Sequence, residues 1–211
     1  MKKYAAEAIA TFILVFVGTG SVIVERVSGG QVTLVGIALV WGLTVMAMVY
    51  AVGDTSGAHL NPAVTWAFWL ARRLPGRAIA PYWTSQLVGA VAASGLLRFV
   101  FETSDLGGTH PSGSALQSLV LEIVLTAILL FVVLGVSSGS EEKGLLAGVA
   151  VGGVITFEVL FGGPISGASM NPARSLAPAL VGGARGDVWI YLVGPIVGAS
   201  LGVAAHRLTV E

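Results

Sequence analysis

The chain has 211 residues, of which 55% are hydrophobic and 10% are charged, and its mean hydropathy is +0.88. A soluble domain carries roughly 25% charged residues, so the composition predicts an integral membrane protein. Lys and Arg balance Asp and Glu at 11 each, which gives no indication of nucleic-acid binding. Cysteine is absent, which excludes disulfides, thiolate metal sites and cysteine catalysis.

Six apolar segments have the length of about 20 residues that a membrane-spanning helix needs. The first one follows Met1-Lys2-Lys3 and superficially resembles a signal peptide. Glu7 interrupts it and the apolar run continues to Val24, so we interpret it as a span. The pattern predicts an all-α membrane protein with spans at 4–24, 33–52, 80–101, 115–136, 145–162 and 187–208.

Two further apolar segments, 61–71 and 171–181, are too short to cross a membrane. Each begins with Asn-Pro-Ala, which places an Asn suited to capping before a Pro at the first helical position. We therefore expect two re-entrant half-helices, a structure tolerated only when it is buried in protein or lines a wet cavity. The motif residues are Asn61, Pro62 and Ala63 in the first copy and Asn171, Pro172 and Ala173 in the second.

The two short segments belong to a longer internal repeat. Glu7 and Glu122 occupy matching places in the first and fourth spans, and a Leu-Val-Gly recurs in the third and sixth. Each half, about 1–105 and 112–211, contains three spans, an odd number, so the second half is expected to enter from the opposite side. This predicts a single channel domain over 1–211, with its function at the midplane where the broken helices meet.

The basic residues of the loops predict an orientation, because cytoplasmic loops carry an excess of Lys and Arg. One side carries seven of them and the other side three, so both termini are expected in the cytoplasm. The short loops and the lack of a targeting extension indicate the plasma (inner) membrane of a prokaryote. The larger set is Lys2, Lys3, Arg72, Arg73, Arg77, Lys143 and Arg207, and the smaller set is Arg26, Arg98 and Arg185.

The residues of the two motifs indicate transport. Asn61 and Asn171 are expected to meet near the bilayer centre, each at the positive end of a half-helix, where their amides donate to a passing oxygen. Two positive helix ends also oppose cations and protons. Arg174 follows Asn171 by three positions on the same helix face, and an Arg inside a membrane is a functional-site hypothesis by default.

The duplicated Asn-Pro-Ala, the Arg that follows the second copy and the paired Glu7 and Glu122 resemble the major intrinsic proteins, the aquaporin and aquaglyceroporin channels. The resemblance covers essentially the whole chain. It implies a passive channel without cofactor, metal site or catalysis, assembled as a homotetramer with one pore per subunit. It also implies that both glutamates hydrogen-bond the backbone of the re-entrant loops.

The family's outer constriction is located by counting from the two asparagines. It implies a selectivity filter of Trp41, Val159, Ala168 and Arg174. Strictly water-selective members usually place His where this chain has Val159. An apolar wall opposite the Arg donors suits a small polyol. The set is similar to that of the nodulin-26-like subgroup, whose members conduct glycerol, often some water, and neutral metalloid hydroxides such as arsenous acid.

Two alternatives stay open. Dedicated glycerol channels commonly have Asp where this chain has Ser175, so a mainly water-selective aquaporin is one alternative. A proton-coupled transporter that uses Glu7, Glu122 and Glu158 is the other. Glu158 is turned about 100° from its neighbour Val159 on a helix, so we expect it to avoid the lumen and to bind loop backbone or a neighbouring subunit. A gating role for Glu158 is a further hypothesis.

Overall fold

A computed structural model describes residues 1–137 and 141–210, without the side chains of 141–144 and 210. Lys143, which was counted among the basic residues of one face, therefore has its side chain outside the described part. Within that part the chain forms eight α-helices and a 3₁₀ turn at Gly76–Ala78. The helices are α1 (Lys2–Val27), α2 (Thr33–Ser56), α3 (Pro62–Leu70), α4 (Ile79–Phe101), α5 (Ala115–Val136), α6 (Glu141–Ser166), α7 (Pro172–Gly182) and α8 (Val188–Val210).

Six of these helices are long and apolar enough to cross a membrane, which confirms the predicted all-α class with six spans. Two helices end a full turn later than predicted. Helices α2 and α6 run four residues further and stop at Ser56 and Ser166, five residues before Asn61 and Asn171. Gly57 and Gly167 follow in the left-handed conformation, with φ of 85° and 86°, and end the helices as glycines at that position commonly do.

The short helices α3 and α7 start where the Asn-Pro-Ala motifs predict. In both, the Asn is extended, its side-chain oxygen accepts from the backbone N–H of the Ala two residues on, and Pro occupies the first turn. Each Asn therefore satisfies one of the donors that a helix start leaves without a partner. Helices of nine and eleven residues cannot cross a membrane alone.

Glycines bring the spans into close contact at matching places in the two repeats. A Cβ on Gly89 of α4 would lie 2.1 Å from the Ala8 carbonyl oxygen of α1. A Cβ on Gly194 of α8 would lie 2.9 Å from the Glu122 Cβ of α5. Small residues allow this approach between membrane helices. The pairs α1–α4 and α5–α8 thus support the two buried glutamates and, through them, the loops before α3 and α7.

Candidate pore and constriction

Two irregular loops lie between the long helices and the half-helices, and their backbones match. Both contain non-glycine residues with positive φ, a conformation that costs free energy unless the surroundings hold it. We infer that contacts outside the loops stabilise this shape. The φ angles are 85°, 46° and 53° at Gly57, Ala58 and Leu60, and 86°, 43° and 53° at Gly167, Ala168 and Met170.

Glu7 of α1 holds the first loop. Its side chain is fully buried, and its carboxylate accepts from the backbone N–H groups of His59 at 2.9 Å and Leu60 at 2.7 Å. The Ser56 hydroxyl and the Gln86 amide also donate to it, at 2.7 and 2.8 Å. Four donors thus converge on one carboxylate, which satisfies backbone groups that no helix or sheet satisfies.

Glu122 of α5 holds the second loop in the corresponding way. It is fully buried, and it accepts from the backbone N–H groups of Ser169 and Met170, each at 2.8 Å. The Ser166 hydroxyl donates to it at 2.8 Å. The geometry assigns both glutamates to loop support, because their oxygens are occupied by donors from the protein itself.

The two asparagines link the halves reciprocally. The Asn61 Nδ2 donates to the Met170 carbonyl at 2.8 Å, and the Asn171 Nδ2 donates to the Leu60 carbonyl at 2.9 Å. A side-chain amide has two N–H groups, so each asparagine keeps one more donor. Both residues also line the central cavity described next.

A cavity of about 120 Å³ is lined by both asparagines and by the four residues predicted for the constriction. One part of its wall is apolar and comes from α2, α5 and α6. The other part is polar and comes from the two loops with their asparagines. The apolar residues include Val45, Val49, Leu129, Val133, Val151 and Ile155, and the predicted constriction residues that line the cavity are Trp41, Val159, Ala168 and Arg174.

At the constriction, Arg174 is 96% buried but has no carboxylate partner within the described residues, where the one ion pair joins Arg26 to Asp105. Its guanidinium lies 4.9 Å from the centre of the Trp41 ring, a cation–π distance. One N–H donates to the Gly107 carbonyl at 3.1 Å. Arg has five N–H donors, so others remain for a solute in the cavity.

Glu158 lies apart from this site. It is 1% exposed, it is not among the residues that line the cavity, and neither carboxylate oxygen has a hydrogen-bond partner among the described residues. The expected bond from Glu158 to the loop backbone is not found there, because Glu122 takes the donors of the second loop.

Several supporting residues were not found from the sequence. The Gly107 carbonyl fixes Arg174, but it is a backbone atom in a loop without a motif. The hydroxyls of Tyr82 and Tyr191 donate to the carbonyls of Ser56 and Ser166, each at 2.7 Å. These tyrosines lie nearly as far apart in the chain as the two asparagines do. That matching spacing was the sequence signal that could have identified them as a repeated pair.

A buried chain of hydroxyls supports the start of α7. Thr109 donates to Ser175 at 2.7 Å, and the Ser175 and Ser169 oxygens lie 2.5 Å apart. Ser169 in turn donates to the Asn171 carbonyl at 3.0 Å. Ser175 therefore joins the outer loop to the second motif rather than lining the cavity.

Comparisons with known proteins agree with this architecture. A family profile described as Major intrinsic protein matches residues 1–206. Aquaporin NIP1-1 of rice is 50% identical over 210 residues, 99% of this chain and 74% of the rice protein. Nodulin-26 of soybean is 43% identical over 99% of this chain and 78% of its own length. The X-ray structure of the aquaglyceroporin from Plasmodium falciparum superposes with a TM-score of 0.88 at 25% identity, covering 99% and 96% of the two chains.

These relatives correct the expected source. The similar proteins come from rice, maize, soybean and Arabidopsis, which points to a eukaryotic, plant origin, so the expectation of a prokaryotic membrane is wrong. That expectation depended on short loops and a missing targeting extension, and neither feature distinguishes the two sources. The six apolar spans and the family match leave the membrane location intact. The chain therefore belongs to the major intrinsic protein family, whose members are membrane channels rather than enzymes.

Proposed function

We propose that this channel passes glycerol and similar small polyols down their gradient, together with water and neutral metalloid hydroxides such as arsenous acid. The observation that carries the proposal is the two-sided constriction. Trp41, Val159 and Ala168 give it apolar surface, and Arg174 gives it N–H donors. A polyol presents carbons on one side and hydroxyls on the other, so both sides of such an opening find a matching surface.

The size of the opening supports the same solute class. Val159 and Ala168 are small, and Ala168 is held in its position by the loop that Glu122 supports. A larger side chain at either position would narrow the opening next to Trp41. The apolar wall continues along the cavity from the constriction. It offers no polar groups that would bind the solute tightly, and weak binding is what a conducting pore requires.

Exclusion of ions follows from the charges around the cavity. Arg174 contributes a positive charge that forms no ion pair with a carboxylate among the described residues. The N-terminal ends of α3 and α7 meet at Asn61 and Asn171 and add the positive ends of two helix dipoles. A cation or proton would have to pass all three, whereas a neutral solute carries no charge for them to repel.

We also propose that the chain is one channel domain of two inverted halves, about 1–105 and 112–211, and that four copies assemble with one pore each. The matching contacts of Glu7 and Glu122 support the first point. Family membership supports the second. Multi-angle light scattering of the detergent-solubilised protein tests the assembly: a mass of four chains supports it, and a stable monomer contradicts it.

The proton-coupled alternative is not favoured by the geometry. The Glu7 and Glu122 carboxylates accept hydrogen bonds from the protein, and Glu158 does not line the cavity. None of the three is therefore placed to exchange a proton with a solute. A channel equilibrates its solute at any pH gradient, whereas a coupled transporter accumulates it.

Stopped-flow light scattering of reconstituted vesicles tests the proposed function. Vesicles that face an inward glycerol gradient shrink as water leaves and re-swell as glycerol enters. Fast re-swelling that is absent from empty vesicles and insensitive to a pH gradient supports the proposal. Fast shrinkage without re-swelling would indicate a mainly water-selective channel, and accumulation driven by pH would indicate coupled transport.

A further inference from the structure

Behind the constriction, the indole of Trp41 lies against the backbone of α1 at Gly18. A Cβ added to Gly18 would lie 2.5 Å from Cη2, 2.5 Å from Cζ3 and 2.6 Å from Cζ2 of that indole. Carbon atoms in contact are normally 3.5–4.0 Å apart. Even an alanine at position 18 would therefore force the ring or the helix to move.

Helix α1 is also closely packed on the residue next to Gly18. A Cβ on Gly107, in the loop between α4 and α5, would lie 2.6 Å from the Thr19 carbonyl oxygen. Packed interiors with this density transmit a displacement instead of absorbing it. The indole of Trp41 therefore takes up the shift when Gly18 gains a side chain.

The displaced indole would enter the opening. Trp41 is 7% exposed, lines the cavity and has the Arg174 guanidinium 4.9 Å from its ring centre. Gly18 itself does not line the cavity. A movement of the ring away from α1 reduces the space between Trp41, Arg174 and Ala168. A polyol is larger than a water molecule, so this narrowing hinders the polyol more.

We propose that Gly18 is a specificity-determining residue that sets the width of the constriction by leaving room for the Trp41 indole. The proposal depends on the proposed function, because it assumes that Trp41 borders the path of the solute. Gly18 acts through Trp41 and touches no solute, so it is a positioning residue.

The test compares Gly18→Ala with Gly20→Ala, both on α1. A Cβ on Gly20 would meet Leu97 Cδ2 at 3.4 Å, an ordinary contact, so this control carries the same change without the collision. Glycerol and water permeability are measured in the same vesicles at equal protein. We expect Gly18→Ala to lower the glycerol-to-water ratio about tenfold, the low end of what one methylene changes in a tight apolar pocket. Gly20→Ala should leave the ratio unchanged.

A second pair of variants separates a selectivity effect from misfolding. Trp41→Phe has a smaller ring, so adding it to Gly18→Ala should restore most of the glycerol flux. If the double variant stays blocked while Trp41→Phe alone conducts, the inference is overturned. It is also overturned if Gly18→Ala behaves like Gly20→Ala. A wild-type protein that conducts no glycerol would instead contradict the proposed function.

Discussion

Asn61 and Asn171 each donate an amide hydrogen bond to the carbonyl just before the other's motif, at 2.8 and 2.9 Å. The two half-helices are therefore joined at the level where the cavity is lined by both asparagines. A change in one loop is transmitted to the other, because Leu60 and Met170 are acceptors in these bonds and are also held by Glu7 and Glu122. The buried glutamates thus support the pore from behind.

Replacing Glu122 by Gln should destabilise the protein. Gln has one acceptor oxygen where the carboxylate has two, so Ser166, Ser169 or Met170 would lose its partner. A buried donor without a partner costs about 1–3 kcal/mol. Thermal unfolding in detergent should show a lower midpoint and reconstituted vesicles a lower flux. The exposed Glu102→Gln is the control, and equal midpoints for the two variants would contradict the assigned role.

Replacing Arg174 should open the pore to cations. Arg174→Val removes the charge and should raise proton leak, measured with a pH-sensitive dye inside vesicles under an imposed potential. Arg174→Lys keeps the charge and should keep the exclusion, although the bond to Gly107 and the stacking on Trp41 are changed. Arg185→Gln, in an exposed loop, should match wild type. If Arg174→Val shows no more proton leak than wild type, cation exclusion would be assigned to the two half-helix ends instead.

Gly107 should be sensitive to a single methyl group. Its φ is 65°, and a Cβ would lie 2.6 Å from the Thr19 carbonyl oxygen, so Gly107→Ala should cost more than about 1 kcal/mol. The shifted loop would release Arg174 into the opening and lower glycerol flux more than water flux.

The neighbouring Gly108→Ala is the matched control for that variant. Its Cβ would have its nearest contact at 3.5 Å, so both the unfolding midpoint and the permeability ratio should stay at wild-type values. If Gly107→Ala gives the same result as Gly108→Ala, the Gly107 carbonyl does not determine where Arg174 lies.

The sequence predicted the helices well, because hydropathy and the Asn-Pro pairs carry that information locally. It placed the ends of α2 and α6 four residues too early, whereas both helices continue to the Ser that precedes the left-handed glycine. Two contacts join residues that lie far apart in the chain: Trp41 with Gly18, and Arg174 with Gly107. No local pattern encodes such pairs, so only the folded structure brings them together.

The most direct measurement of the central claim is the glycerol and water permeability of wild type and Val159→His in the same vesicle preparation. His at this position adds a larger, polar side chain to the apolar side of the opening. We expect wild-type vesicles to re-swell in glycerol. In Val159→His, the glycerol flux should be at least about tenfold lower, because a tight pocket has lost space, while the water flux persists. A wild type that passes water but no glycerol, or a Val159→His channel with an unchanged ratio, would contradict a polyol-conducting constriction at Trp41, Val159, Ala168 and Arg174.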